Sequence, residues 1–434
     1  MRKSRTGFYP IPPLCIGMFF LMTAAGTCGA EEAASQDPET EFWQRESLTD
    51  GFFGLNERLN NQGIDLSLSA TQVYQQNLRG GLSTHRQSGR YTGSYDLEIS
   101  ADWDKLAGLE NIRSYLRGEG SWPRAEGINE ASGGSFLGVN DDAGGARSMD
   151  ITEFWFEKSW LEESLILRLG KIDLTCGFQC SNCPANFDGS VYAGDETTQF
   201  LNSALVNNPT IPFPDNGLGA VLYASPVEWW YAAFGAADAQ ADVRETGLRT
   251  AFHAEDYFLY LLETGLTPSL SGPSGPLQGA YRIGCWFDPQ DKQRFASESI
   301  KRDDMGFYLS VCQCVFRENG DPEDTQGLGL FSRYGWADSD VNELTNFWSA
   351  GTQYQGLLPH RDEDVLAVGV AQGIFNNRGE IPEDAETALE VYYHLKVTGW
   401  MHLSPSVQYI ANPAGSENDL QDAVVLGMRM QAAF

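Results

Sequence analysis

Ala423-Val-Val-Leu-Gly-Met-Arg-Met-Gln-Ala-Ala-Phe434 is the stretch whose reading decides the fold. Side chains on a strand point alternately to opposite faces. One face reads Val424, Leu426, Met428, Met430, Ala432, Phe434, and the other Val425, Gly427, Arg429, Gln431, Ala433. An apolar stripe backed by a polar or small stripe is what a strand needs when lipid lies on one side and water on the other. The edge strand of a soluble sheet carries the same alternation, so the rest of the chain has to decide.

Working outward, the period of two recurs from residue 64 to the end. The clearest case is Tyr91–Trp103: Tyr91, Tyr95, Leu97, Ile99, Ala101 and Trp103 share one face, and Thr92, Ser94, Asp96, Glu98, Ser100 and Asp102 the other. Aromatics at both ends of an apolar face suit two membrane interfaces, which a soluble sheet does not require. Similar segments are expected at residues 64–77, 109–120, 150–160, 164–172, 217–225, 228–237, 256–265 and 279–288. They continue at 304–316, 326–336, 346–356, 363–373, 386–398, 401–410 and 423–434. The reading is all-β: a transmembrane antiparallel barrel of about 16 strands, an even count that puts both strand ends on one side. Ser225-Pro226-Val227 reads as a short turn. The gaps 122–147 and 176–216 read as long loops of the kind that fold into a pore. Asp50–Asn61, with Phe52, Leu55 and Leu59 at helical spacing and Asp50 as cap, is expected to be a short periplasmic helix.

Residues 1–30 read as a signal peptide: Arg2, Lys3 and Arg5 precede a largely apolar run from Leu14 to Ala24, and Cys28-Gly29-Ala30 offers small residues for cleavage. Residues 31–49 form a polar segment and 50–434 the barrel with its helix. Removing three basic residues and no acidic one leaves 26 Lys and Arg against 59 Asp and Glu, a net charge of −33. Phosphate backbones repel such a chain, so nucleic acid is not an expected partner. A mean hydropathy of −0.32 does not argue against a barrel, because only every second strand residue meets lipid.

Six cysteines remain after the leader: Cys176, Cys180, Cys183, Cys285, Cys312 and Cys314. The Cys176–Cys183 cluster invites a metal, but exported cysteines oxidise, so a loop disulfide is the preferred expectation and no metal or cofactor is assigned. Cys312 and Cys314 share a strand face, where bonding to each other strains the geometry. None of the five histidines lies in a nucleophile motif, so the expectation is a protein that is not an enzyme. The candidate pore lining is better founded. Asn111, Arg113, Tyr115, Arg117 and Glu119 fall on one face, opposite charges across a narrow passage create a transverse field, and sugar hydroxyls suit arginine and carboxylate partners. Glu98 on the polar face of its strand belongs with them. Trp122, Trp155 beside Glu153, and Trp286 beside Arg282 are candidate flat faces for sugar rings.

The stretch Gln199-Phe-Leu-Asn-Ser-Ala-Leu-Val-Asn-Asn-Pro-Thr-Ile-Pro-Phe-Pro-Asp-Asn-Gly-Leu-Gly219 resembles the OprB-type carbohydrate-selective porin family. Leu169-Gly-Lys-Ile-Asp173, Tyr281-Arg-Ile-Gly-Cys-Trp-Phe-Asp288, Gly327-Leu-Gly-Leu-Phe-Ser-Arg-Tyr-Gly-Trp-Ala-Asp338 and Phe347-Trp-Ser-Ala-Gly-Thr-Gln-Tyr-Gln-Gly356 match it in the same order. The resemblance implies a sixteen-stranded barrel in the bacterial outer membrane through which small sugars, glucose among them, diffuse passively without cofactor or catalysis. The terminal aromatic residue is similar to the closing signal of outer-membrane barrels. The cysteines depart from the usual family pattern. Prolines exclude Asn207-Asn208-Pro209 and Pro212–Gly217 from a ladder, so 199–215, with Asn207 and Asn208, is expected to line or narrow the pore. A general or cation-preferring pore is the alternative function. Membrane lipid is the expected surrounding, and the choice between single barrel and homo-oligomer stays open.

Overall fold

The computed structural model describes residues 42–434, apart from 123–126, 144–146, 176–188, 191, 194–198, 243–256, 296, 298, 322–323, 380 and 417–418. Cys176, Cys180 and Cys183 lie outside the described residues, as does the expected leader.

Sixteen antiparallel strands form one closed sheet. They are β1 (Ile64–Gly81), β2 (Gly89–Asp102), β3 (Ile112–Trp122), β4 (Arg147–Trp160), β5 (Leu165–Ile172), β6 (Gly217–Val227), β7 (Trp230–Asp238) and β8 (Phe258–Leu266). Next come β9 (Gly275–Asp288), β10 (Asp304–Arg317), β11 (Gly327–Ala337), β12 (Leu344–Gln355), β13 (Val365–Phe375), β14 (Ala385–Lys396), β15 (Met401–Ala411) and β16 (Gln421–Ala433). Ser269–Gly272 continues β8 past Thr267-Pro268 along the same neighbour, β9, so the seventeen ladder segments are sixteen strands. Each strand pairs with its sequence neighbours, and β1 pairs with both β2 and β16. The closing register runs from Ser69↔Ala433 through Gln72↔Met430 to Asn77↔Val425. The Phe434 N–H adds a bond of 2.9 Å to Leu68 O. No sheet edge is left to lipid, where unpaired backbone groups are costly.

The alternation seen in the closing strand holds in space. Leu426, Met428 and Met430 are 39, 43 and 40 % exposed on the outer face, whereas Val425 and Arg429 are buried inside. Phe154, Phe156, Leu222, Phe234, Leu262, Ile283, Phe307, Leu330 and Val407 extend that outer belt around the barrel. In water such a surface would drive association; around a barrel it is the lipid contact. The interior holds two apolar clusters, one around Phe200, Leu205, Phe331 and Phe347, the other around Ile211, Tyr231, Trp286 and Tyr308.

Strand ends shift slightly from expectation. The β6–β7 turn is Glu228-Trp229, because the ladder continues through Val227↔Trp230. The strand expected to reach Trp103 stops at Asp102, whose carboxylate caps the short helix Trp103–Ala107 at Asp104 N. The helix Asp50–Asn60 forms, but Thr49 rather than Asp50 is the cap, and its first turn is left-handed from Gly51 to Gly54. Trp43 stacks on Trp400 at 6.3 Å, and Leu48 N–H bonds Ala433 O at 2.8 Å. This segment therefore packs at the barrel end that carries the turns. The long connections, 123–146 and 173–216, leave from the opposite end.

Candidate functional site

Two carboxylates on the inner face of β14 hold the long loops inside the barrel. Glu386 accepts the backbone N–H groups of Phe136, Leu137 and Ala414 at 2.8, 3.0 and 2.6 Å, and the Ser135 hydroxyl. Glu390, four residues along the same face, accepts Leu201 N–H at 3.0 Å and Asn202 N–H at 2.8 Å. Both side chains are fully buried. A buried carboxylate is tolerable only when several donors face it, and an irregular loop supplies free N–H groups that a strand cannot. Gln75 and Gln408 both donate to Val139 O, at 2.6 and 2.9 Å. Arg333 donates to Leu205 O at 2.8 Å, and Arg429 to Gln199 O at 2.6 Å. Asn202 Nδ2 reaches Gly138 O at 2.6 Å, tying one loop to the other. Phe200 meets Tyr392 edge-on at 5.0 Å. Residues 199–215 thus occupy the lumen against β10–β16, as their proline and asparagine content led us to expect.

The inner faces of β1–β4 keep their access to water. Ser69, Asp96, Glu98, Tyr115 and Arg117 are all partly or fully exposed. Arg117 donates to Asp96 Oδ1 through Nε at 3.0 Å and Nη2 at 2.8 Å, and its Nη1 lies 4.0 Å from Glu153 Oε1. Tyr115 and Trp155 stack at 5.1 Å with 25° between planes. The guanidinium of Arg168 lies 3.9 Å above the Trp155 ring and bonds Glu157 at 3.0 Å. Trp155 Nε1 donates to Glu153 at 3.1 Å. An aromatic face is therefore framed by two arginines and three carboxylates on one wall. Stacking and cation–π contact fix the ring orientation; Arg117 and Asp96 keep part of their surface open to water, whereas Glu153, Glu157 and Arg168 are buried.

The candidate residues divide into three groups. Glu98, Arg117, Glu119, Glu153 and Trp155 fall on the inner wall of β2–β4. Arg113 shares their face but sits at the turn end, half exposed and 3.4 Å from Glu163. Trp122 does not line the lumen. It is an even-numbered residue of a strand whose odd positions face inward, so it lies outside, stacked on Tyr95 at 6.4 Å and donating to Gln72 at 3.2 Å. Gly93 makes room for it, since a Cβ there would stand 2.4 Å from the indole. Arg282, Trp286 and Asn208 face inward but are 4, 2 and 1 % exposed, covered by loop 173–216. Arg282 donates to Gly189 O, and Asn208 Oδ1 accepts Thr210 N–H at 3.1 Å over Gly335. They seat the loop rather than line open water. Asn207 follows the one-turn helix Ser203–Val206. Cys312 packs in the apolar cluster around Phe200 and Phe331, with its Sγ 3.2 Å from Ser190 Oγ and 3.8 Å from Arg282 Nη1, and Cys285 faces outward.

Sequence reasoning missed the anchoring role of Glu386 and Glu390 and the place of Arg168 above Trp155. The first two sit at alternate-face positions of a strand with an apolar outer stripe, which was the available signal. Arg168 had none, because its partner is on another strand.

The family model "Carbohydrate-selective porin, OprB family" matches residues 86–434. Porin B of Pseudomonas aeruginosa is 23 % identical over 456 residues, spanning 96 % of this chain and 97 % of that protein. Porin AaxA of Chlamydia muridarum is 21 % identical over 299 residues, 67 % of this chain and 56 % of that one. Among solved structures, the high-pH form of Pseudomonas putida OprB superposes with a TM-score of 0.76 at 18 % identity, covering 90 % of this chain and 99 % of that one. With the family matched along most of the chain, a closed barrel, an apolar belt and a charged, aromatic wall inside, this protein belongs to the carbohydrate-selective porins of the OprB family, channels of the outer membrane.

Proposed function

We propose that small neutral monosaccharides such as glucose pass along the β2–β5 wall, where Arg117 lies between Asp96 and Glu153 beside the Tyr115–Trp155 stack. That juxtaposition carries the reading. A pyranose has one flat C–H face and a rim of hydroxyls that both donate and accept. The stack takes the flat face, while guanidinium and carboxylates take the rim. Asp96, Tyr115, Arg117 and Trp155 are each partly open to water, so binding is weak enough for release. Glu98 and Glu119 extend the wall. Arg113 stands at the rim of the mouth.

Liposomes containing the protein should swell faster in glucose than in a zwitterionic amino acid of similar size; equal rates overturn the sugar preference. A cation-preferring pore is favoured by the net charge of −33 left after removal of the expected leader. Its signature is a large reversal potential under a salt gradient with no sugar block. In the working protein, residues 1–30 are a removed leader, 31–49 a spacer, and 50–434 the barrel with its short helix at the periplasmic end. The belt of Leu, Phe and Met side chains is suited to lipid all round, which favours a barrel that works singly.

A further inference from the structure

Two histidines unrelated to the sugar wall face each other at the turn end of the lumen. His394, near the end of β14, and His402, the second residue of β15, present Nε2 and Nδ1 to one another at 3.0 Å with their rings nearly parallel. The Nδ1 of His394 lies 3.1 Å from Ser404 Oγ, and the His402 ring makes a further hydrogen bond to the Gly399 backbone. Each ring therefore has an oxygen partner, and His394 Nε2 and His402 Nδ1 lie within reach of a single ion. That is the arrangement of metal-ligating imidazoles, whose second nitrogen is held by an outer oxygen. With metal–nitrogen bonds of about 2.0–2.1 Å, a spacing of 3.0 Å subtends about 95° at the ion, a cis angle that zinc or copper accepts. His394 is buried, while His402 is half-buried and reachable from the mouth.

We propose that His394 and His402 bind a divalent transition-metal ion of the zinc and copper class. Without metal, one proton lies between the rings: Ser404 donates to His394 Nδ1, and His394 Nε2–H donates to His402 Nδ1. On binding, that proton moves to His394 Nδ1 and the Ser404 hydroxyl turns to accept it, so both rings stay neutral and, with a small tilt of the rings, both lone pairs meet the ion. The carboxylate of Glu46, packed against Gly399, lies close enough to act electrostatically on His402 and supplies negative charge. The other nearby charges, Lys396 and Glu363, are paired with each other. Glu46 belongs to the segment that stacks Trp43 on Trp400 and bonds Leu48 to Ala433. A bound ion therefore ties this segment to the β14–β15 hairpin at the pore mouth.

The test is calorimetric titration of the detergent-solubilised full chain, thiols blocked, with zinc chloride. The expected result is binding whose stoichiometry falls by one in His394→Gln/His402→Gln, with about 10–100-fold weaker affinity in Ser404→Ala. Unheated-gel mobility confirms that each variant is a folded barrel. Copper EPR of the unsubstituted protein gives an independent reading, with hyperfine coupling to two ring nitrogens expected. Unchanged stoichiometry and affinity in the double variant, no zinc binding by the unsubstituted chain, or an EPR spectrum without nitrogen coupling would each overturn the proposal.

Discussion

At the scale of single residues, the proposed sugar path gives Arg117 and Arg113 different places. Both share one strand face in the sequence, yet Arg117 lies between Asp96 and Glu153 on the inner wall, whereas Arg113 pairs with Glu163 at the rim. An exposed ion pair contributes roughly 0–1 kcal/mol, so Arg113→Ala should leave folding and glucose permeation close to the unsubstituted protein. Arg117→Ala should lower glucose flux several-fold in liposome swelling while the barrel stays folded. Trp155→Ala should act in the same direction by removing the flat face over which Arg168 is held. If Arg117→Ala and Trp155→Ala both permeate glucose normally, the sugar path lies elsewhere. The face shared by these residues was legible from period two alone. Which residue on it meets solute was not, because their partners come from β2, β4 and β5.

At the scale of elements, the inner face of β14 anchors the segments that lie inside the barrel. Glu390 holds Leu201 and Asn202 by charge-assisted bonds, each worth about 1.5–3 kcal/mol. Glu390→Ala should release loop 173–216 from the wall, raise single-channel conductance and weaken discrimination between glucose and larger sugars. Gly335→Val tests the same seat from another strand, since a Cβ there would stand 2.0 Å from Thr210 Oγ1. Both variants should open the pore; a pore unchanged in conductance would mean that the loop does not set its width. At the turn end, burial opposes the charge on Asp364, but Arg361 donates to it twice at 2.7 Å, and Tyr393 OH and Lys396 N–H add bonds of 2.6 and 3.0 Å. These donors hold its carboxyl below the ordinary value. A lowered aspartate stabilises the fold above its unfolded value of about 3.9, and that contribution disappears as pH falls through the lower folded value. The Asp364 contribution to thermal stability, read as the difference in heat-dependent gel mobility between the unsubstituted protein and Asp364→Asn, should therefore stay constant from neutral pH down to about 5 and shrink below about 4. Asp364→Asn should be less stable at neutral pH and show a smaller acid-dependent drop.

At the scale of the whole molecule, closure is the event that makes the strands a barrel. β1 and β16 share an eleven-pair register from Ser69↔Ala433 to Gly81↔Gln421. Removing residues 421–434 exposes two long edges, each with backbone groups that lipid cannot satisfy. Such a truncation should give no heat-modifiable band and no channel activity, whereas removal of Phe434 alone costs the single bond to Leu68 O and should leave a folded barrel in detergent. The closing strand thus matters for assembly more than for selectivity.

Period two in residues 64–434 and the placement of Tyr, Trp and Leu along each strand determined by themselves the all-β barrel, its strand order and its boundaries to within a few residues. They could do so because each strand answers to a local rule: one face must be apolar and the other must tolerate water. The loops obey no such period. That residues 199–215 fill the lumen, that Glu390 holds them and Glu386 holds residues 135–137, that Trp122 points outward while Trp286 is buried within, and that His394 meets His402, all depend on groups far apart in the chain. Only tertiary structure decided these, because a buried carboxylate or indole is explained by whichever donor, loop or ring closure brings to it.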